Sequence, residues 1–290
     1  MQLRLMRWIG GKIRVIHILT ALFPDNFKVY CEPFIGSGAV LLNKCRHTVE
    51  IINDKNKDLA TLHRVLADRV KGKQLVDILT HQIINEEIFY EALQILEERS
   101  AEIDDIERAR CVFLKYYLSF NAKGDFYRPM TQDEYNRDVR YQLPNIYERY
   151  RGVQVRTGCG IELIEQFADN EDVFVFADPP YDPKLCGSER LYKCAMPKEL
   201  HIEMLNVMKD AKCKILLFGY TVENGDDLYD KTLIPSGKWK RYKVAELPKS
   251  LQANNKERSK AEEYIWVNYE LPHFARYMFN MGTEFSEKDL

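Results

Sequence analysis

The chain has 290 residues, of which 46% are hydrophobic and 30% are charged, and its formal net charge is −2 at pH 7. This length suits one large α/β domain, or such a domain with an inserted lobe. No apolar run approaches the roughly 20 residues that span a bilayer, and the first fourteen residues lack the features of a signal peptide. The sequence therefore predicts a cytoplasmic protein without a membrane role.

The seven cysteines do not form a recognisable metal or disulfide motif. They are scattered along the chain, with no Cys-x-x-Cys pair and no histidine at metal-ligand spacing. Cys186 and Cys194 flank the strongest motif in the chain, which leaves a metal or redox role as the alternative. The sequence favours reduced thiols and no metal site.

Charge is distributed unevenly along the chain. Residues 86–107 are rich in Asp and Glu, whereas residues 231–260 are rich in Lys and Arg. A nearly neutral total can conceal such local asymmetry. The sequence therefore predicts a one-sided basic surface, which is compatible with a nucleic-acid partner.

The first predicted strand leads into a glycine turn. Val29 to Cys31 is a β-branched and aromatic run, the sequence E-P-F-I-G-S-G follows at residues 32–38, and apolar residues from Ala39 predict a helix. At the carboxyl edge of a parallel sheet, glycines let the backbone approach a ligand closely. This unit indicates a ligand site, although an ordinary turn has the same local pattern.

A second predicted strand, residues 49–52, ends at Asn53 and Asp54 and precedes a helix that runs through Leu66. A carboxylate at this place can accept both ribose hydroxyls of a nucleoside. Together with the glycine turn, Asp54 indicates S-adenosylmethionine or NAD as the cofactor. The alternative is a carboxylate that only caps the helix.

Strand patterns fade between about Lys71 and Tyr150. Residues 86–96 and 106–118 have apolar side chains at helical spacing, and a loop-like segment rich in Gly, Asn, Pro and Tyr follows. Strand patterns return at residues 153–155, 173–177, 214–218 and 264–268. The sequence therefore predicts a discontinuous α/β domain, residues 1–66 and 151–290, with an inserted helical lobe at residues 67–150.

The most specific motif is Asp178-Pro179-Pro180-Tyr181, which directly follows the apolar residues 173–177. Two prolines supply no N–H groups, so the strand must end there. The Asp178 side chain and a neighbouring carbonyl can accept both protons of a planar amine while Tyr181 stacks on its ring. In combination with the upstream motifs, this pattern favours methyl transfer from S-adenosylmethionine over NAD chemistry, with a purely structural turn as the alternative.

In this order the motifs resemble those of the D12 class of N6-adenine DNA methyltransferases, the family of the Dam enzymes. The resemblance implies a Rossmann-like S-adenosylmethionine-dependent methyltransferase fold with an inserted target-recognition domain. It also implies methyl transfer to adenine N6 in double-stranded DNA after the base is flipped out. The matching segments are Trp8-Ile9-Gly10-Gly11-Lys12, residues 32–38, Asn53-Asp54-Lys55-Asn56, Asp178 to Tyr181, Leu200-His201 and residues 260–269.

The resemblance implies roles for individual residues in three groups. The residues expected at the adenine are Asp178, Pro179, Pro180 and Tyr181. Those expected to bind S-adenosylmethionine are Trp8, Gly10, Gly11, Lys12, Glu32, Pro33, Phe34, Gly36, Ser37, Gly38, Asp54 and Asp178. The DNA-binding candidates are Asn121, Lys123 and Arg128 in the insert, from the resemblance, and Lys240 and Arg241 in the basic segment, from their charge. For all of these the alternative is a solvated surface without a DNA contact.

Two positions leave alternatives open. Lys12 can instead contact a DNA phosphate. Where the family often has an Asp near the adenine of its cofactor, this chain has Ile161, with Glu162 as the candidate substitute.

Other functions also fit parts of the pattern. They are methylation of cytosine N4 or of an RNA base, NAD-dependent oxidation, and DNA binding without catalysis. A cognate restriction endonuclease is a candidate partner. The DNA sequence recognised and the oligomeric state do not follow from the sequence.

Overall fold

The computed structural model describes residues 2–8, 10–98, 102–180, 196–220, 228–248 and 260–280. The chain forms two compact units. The first unit comprises Met1–Ile13 and Ile35–Cys159, and the second comprises Arg14–Phe34 and Gly160–Leu290. Within the described ranges, no helix is both long and apolar enough to cross a membrane.

Helices and strands alternate along much of the chain. The strands are β1 (Val29–Glu32), β2 (Val49–Asp54), β3 (Gln154–Thr157), β4 (Val173–Ala177), β5 (Lys214–Tyr220), β6 (Lys240–Pro248) and β7 (Lys260–Val267). The α-helices are α1 (Ile16–Ala21), α2 (Ala39–Asn43), α3 (Lys57–Ala67), α4 (Arg69–Thr80), α5 (Glu86–Glu98), α6 (Asp105–Tyr117), α7 (Gln132–Tyr150), α8 (Gly160–Phe167), α9 (Lys198–Met208), α10 (Leu228–Leu233) and α11 (His273–Asn280).

The first unit contains helices α2 to α7 and the parallel strands β2 and β3, in which Asp54 pairs with Thr157. Helix α3 begins after Asn56, whose side chain accepts hydrogen bonds from the N–H groups of Asp58 and Leu59. Its apolar side packs against α6 and α7. The predicted second strand and the helix after it are confirmed.

Helix α7 corrects one expectation, because part of the segment predicted to be loop-like is a helix of 19 residues. It starts with a capping box, in which Thr131 and Glu134 each bond the other's backbone N–H. The side chains that it buries recur at helical spacing and are Tyr135, Val139, Leu143, Ile146 and Tyr150. The internal Pro144 and several Asn and Tyr residues obscured this apolar periodicity in the sequence.

The second unit contains the other five strands, in the order β1-β4-β5-β7-β6. Strands β1, β4 and β5 are parallel, whereas β7 is antiparallel to both β5 and β6. All five residues of β4 are buried, and the ring of Phe174 contacts Phe23 with 4.7 Å between centroids. Strand β4 lies at the bounds predicted from the sequence, whereas β6 was not predicted.

Strand β6 was not predicted because four of its nine residues are charged, three of them within the first four positions. Lys240 and Arg241 are exposed at its start, and Val244 is buried further along. The structure confirms the α/β class with mostly parallel strand pairs. The inserted domain at residues 67–150 remains a prediction, and its described residues contain helices α4 to α7.

Candidate functional site

The glycine turn needs glycine at two positions, Gly36 and Gly38, which both lie in the first unit. Gly36 and Gly38 have φ values of 51° and 73°, which residues with a side chain rarely adopt. A β-carbon on Gly36 would also lie 2.8 Å from Nε1 of Trp8, and one on Gly38 would lie 2.8 Å from the hydroxyl of Tyr150. A side chain at either position would therefore collide with Trp8 or Tyr150, and the backbone of the turn stays uncovered there.

Asp54 ends β2 with its carboxylate beside this turn. One carboxylate oxygen accepts a hydrogen bond from the N–H of Gly36 (3.2 Å), and the other accepts one from the N–H of Asn56 (2.8 Å). Burial raises the pKa of Asp54 to about 6. The group is therefore mainly ionised at neutral pH, and each oxygen has a lone pair for a further donor.

The N-terminal W-x-G-G-K segment lies against the same turn. The N–H of Gly11 donates to the carbonyl of Trp8 (3.2 Å), and a β-carbon on Gly11 would lie 3.9 Å from Oγ of Ser37. Lys12 is buried and donates to the carbonyl of Gly10 (2.7 Å). The first unit thus brings this predicted cofactor-binding segment to the glycine turn.

Two buried residues that were not predicted from the sequence, His63 and Tyr150, support the turn. His63 donates from Nε2 to the carbonyl of Gly36 (2.8 Å), and its Nδ1 accepts from the hydroxyl of Tyr150 (2.6 Å). Burial lowers the pKa of His63 to about 4, so the ring is neutral at physiological pH. Neither residue has a local sequence signal, because each resembles an ordinary buried helix residue.

The second unit contains the other described residues that are predicted to bind the cofactor or the adenine. They lie at the ends of β1 and β4. Glu32 is buried and accepts a hydrogen bond from the hydroxyl of Tyr30 (2.7 Å). The ring of Phe34 packs on Gly160, where a β-carbon would lie 2.5 Å from Cε1 of Phe34. Pro33 also contacts this glycine, since its carbonyl oxygen would be 2.9 Å from the same β-carbon.

Strand β4 ends at Ala177, as the two prolines predict. Asp178 follows it and is half-buried, and Pro179 is buried beside it. Tyr181 lies outside the described residues. Ile161 is buried in α8 while Glu162 is exposed.

The DNA-binding candidates of the insert lie on a hairpin. The N–H of Phe120 donates to the carbonyl of Phe126, and the N–H of Arg128 donates to the carbonyl of Leu118, both at 2.7 Å. Lys123 is exposed near the tip. The Asn121 side chain lies outside the described part of the chain.

The other two cations lie on β6 and have acidic partners. Lys240 pairs with Glu270 at 2.5 Å, and Arg241 pairs with Asp230 and lies over the ring of Tyr264. The exposed Lys240–Glu270 pair contributes little to stability, so Lys240 can exchange its partner for phosphate at small energetic cost. The Arg241 pair is less exposed, and its partner Asp230 also accepts a hydrogen bond from the indole N–H of Trp266 (2.8 Å).

Among the described residues, no group of three or more His, Cys, Asp or Glu side chains is arranged to hold a metal ion. Cys186 and Cys194 lie outside those residues.

Comparison with known proteins identifies the family. Residues 8–242 match the model of the D12 class N6 adenine-specific DNA methyltransferases. The chain is 25% identical to the DNA adenine methylase of Haemophilus influenzae, over 90% of this chain and 92% of that protein.

Two further relatives match over shorter segments. The type II methyltransferase M1.LlaDCHI of Lactococcus lactis is 28% identical, over 61% of this chain and 65% of its own length. The type II methyltransferase M.MjaIII of Methanocaldococcus jannaschii is also 28% identical, over 61% and 68% respectively. The family match covers most of the chain, which therefore belongs to the D12 class of N6 adenine-specific DNA methyltransferases.

Proposed function

We propose that this enzyme transfers the methyl group of S-adenosylmethionine to N6 of an adenine flipped out of double-stranded DNA. Family membership establishes adenine-specific DNA methylation and the need for a methyl donor. The observation that carries the choice of donor is the carboxylate of Asp54 beside the glycine turn. A cytoplasmic location is part of the proposal because the substrate is DNA.

The residues of the first unit fit a nucleoside cofactor. The ionised Asp54 would accept its ribose hydroxyls, and the two glycines leave the backbone accessible to it. Trp8 and Lys12 would lie near its methionine end, as the family resemblance implies. When bound, S-adenosylmethionine supplies a methyl group that its sulfonium already activates.

The second unit would hold the adenine. Asp178 follows β4 at a point where two prolines prevent the strand from continuing. Its carboxylate would accept a hydrogen bond from N6, orient the nitrogen lone pair towards the methyl group and stabilise the positive charge that develops on nitrogen. Pro179 and Pro180 would shape this turn, and Tyr181 would stack on the base.

Residues 67–150 would form the target-recognition domain, with Asn121, Lys123 and Arg128 on the hairpin as DNA contacts. Lys240 and Arg241 would contact phosphates. Two relatives are named type II methyltransferases. Their names support a cognate restriction endonuclease as a partner.

The proposed reaction predicts one modified nucleoside. DNA duplexes are incubated with the protein and methyl-labelled S-adenosylmethionine and then digested to nucleosides. The label should appear in N6-methyldeoxyadenosine. Single-stranded RNA of the same sequence serves as the comparison substrate. Label in N4-methylcytosine or in RNA would contradict the proposed function, and modified-base sequencing would identify the target site.

DNA binding should weaken as salt rises, despite the negative net charge, because phosphate contacts release counterions. The double variant Lys240→Gln, Arg241→Gln should flatten the slope of log K against log salt by about 2, if each cation contacts one phosphate. Fluorescence anisotropy with a labelled duplex measures this slope.

Lys212→Gln is the matched control. Lys212 is also an exposed lysine of the second unit in an ion pair, with Asp169 at 2.9 Å. Equal slopes for the double variant and this control would show that Lys240 and Arg241 do not contact DNA.

A further inference from the structure

We propose that His63 and Tyr150 are positioning residues that hold the glycine turn in its cofactor-binding shape and link it to the end of helix α7. The inference rests on the proposed function. Tyr150 donates to His63, and His63 donates to the carbonyl of Gly36. The two residues are 87 positions apart in the sequence.

Of the two neutral forms of the histidine ring, only one fits both hydrogen bonds. A ring with hydrogen on Nε2 alone donates to the Gly36 carbonyl and accepts from the Tyr150 hydroxyl. His63 and Tyr150 are both 0% exposed, and their rings stack with 5.7 Å between centroids. Since burial lowers the pKa of His63 to about 4, this neutral form persists at physiological pH.

Gly36 is consequently held on both sides. Asp54 accepts from its N–H group, and His63 donates to its carbonyl. These two contacts bind the peptide groups on either side of Gly36, whose backbone has a left-handed conformation. Loss of the histidine contact would let the Gly36–Ser37 peptide rotate, and cofactor binding would then have to order it again.

The Tyr150 hydroxyl is itself fixed, because the end of α7 is anchored independently of the turn. Arg149 forms a two-pronged ion pair with the buried Glu50 at 2.6 and 2.8 Å. Arg46 donates to the carbonyls of Glu148 (2.6 Å) and Arg151 (3.0 Å). Tyr150 therefore transmits the position of α7, which lies in the predicted target-recognition segment, to the cofactor turn.

The test is Tyr150→Phe, which removes one hydroxyl and leaves His63 with a buried acceptor that lacks a donor. Calorimetric titration with S-adenosylhomocysteine should show about tenfold weaker binding. The KM for S-adenosylmethionine should rise by a similar factor, while kcat at saturating cofactor should change little.

Tyr135→Phe is the matched control. Tyr135 is also 0% exposed, lies on the same helix and donates its hydroxyl to the carbonyl of Leu79 (2.8 Å), away from the turn. It should lower thermal stability to a similar degree and leave cofactor affinity unchanged. Parental affinity in Tyr150→Phe, or equal losses of affinity in both variants, would overturn the inference.

A second pair of variants tests the histidine directly. His63→Gln places an amide donor near the position of Nε2 and should bind S-adenosylhomocysteine more tightly than His63→Ala. Equal affinities for these two variants would contradict a positioning role. If the parent protein fails to bind S-adenosylhomocysteine, the proposed function is wrong, whereas a parent that binds with unaffected variants refutes only this inference.

Discussion

Replacing Asp178 by alanine should slow methyl transfer at least about a hundredfold and leave the affinity for S-adenosylmethionine largely unchanged. The expected loss is that of one oriented acceptor at the reacting nitrogen. The substitution leaves Asp54, Gly36 and Gly38, the residues proposed to bind the nucleoside, unchanged. Chemistry and cofactor binding should therefore separate in this variant.

Single-turnover methylation of adenine-containing duplexes, with cofactor saturating, measures the effect. Asp172→Ala is the control, because Asp172 lies just before the other end of β4 and its carboxylate forms an exposed ion pair with Lys28 (2.7 Å). In the same assay Tyr181→Ala should slow transfer and Tyr181→Phe should be milder, because phenylalanine keeps the stacking ring. A parental rate for Asp178→Ala would refute the proposed active site.

Asp54→Ala should weaken S-adenosylmethionine binding by about 1.5–3 kcal/mol, because hydrogen bonds to a charged acceptor are stronger than neutral ones. Calorimetry gives the affinity. Asp68→Ala is the matched control, since Asp68 also accepts two backbone N–H bonds, from Val70 and Lys71, but does so at the exposed start of α4. The same affinity in Asp54→Ala and the parent would reject the ribose role.

The raised pKa of Asp54 adds a pH test. The ionised carboxylate is the stronger acceptor, so affinity should be highest above the pKa of about 6 and should fall as pH is lowered through it. Asp54→Ala should lack this dependence. The pKa of His63, about 4, lies below this window, so its titration would not imitate the effect.

The parts of the site that the sequence predicted are those that local chemistry determines. Gly36 and Gly38 indicate a turn in which side chains are excluded. The prolines after Asp178 end a strand whatever the tertiary structure around them. Asp54 closes a buried strand. Each of these features depends on its immediate neighbours in the sequence. The sequence alone was therefore enough to assign each one to the end of a strand or to a turn.

The missed features depend on distant contacts or on conflicting local signals. His63 and Tyr150 acquire their role only when α3 and α7 pack together. In α7 the lack of a backbone N–H at Pro144 argued against a helix, although the Thr131 capping box and the buried residues favoured it. In β6 the exposed Lys240 and Arg241 concealed a strand whose hydrogen bonds come from β7.

The pairing of β2 with β3 also has a consequence for chain entropy. It joins Asp54 to Thr157, about a hundred residues later in the chain. Closing a flexible loop of that length costs about 4 kcal/mol in the logarithmic model of loop closure. Helices α3 to α7 lie within this loop, and each one shortens the flexible path between the strands. The helical segment therefore reduces the entropy lost when these two strands meet.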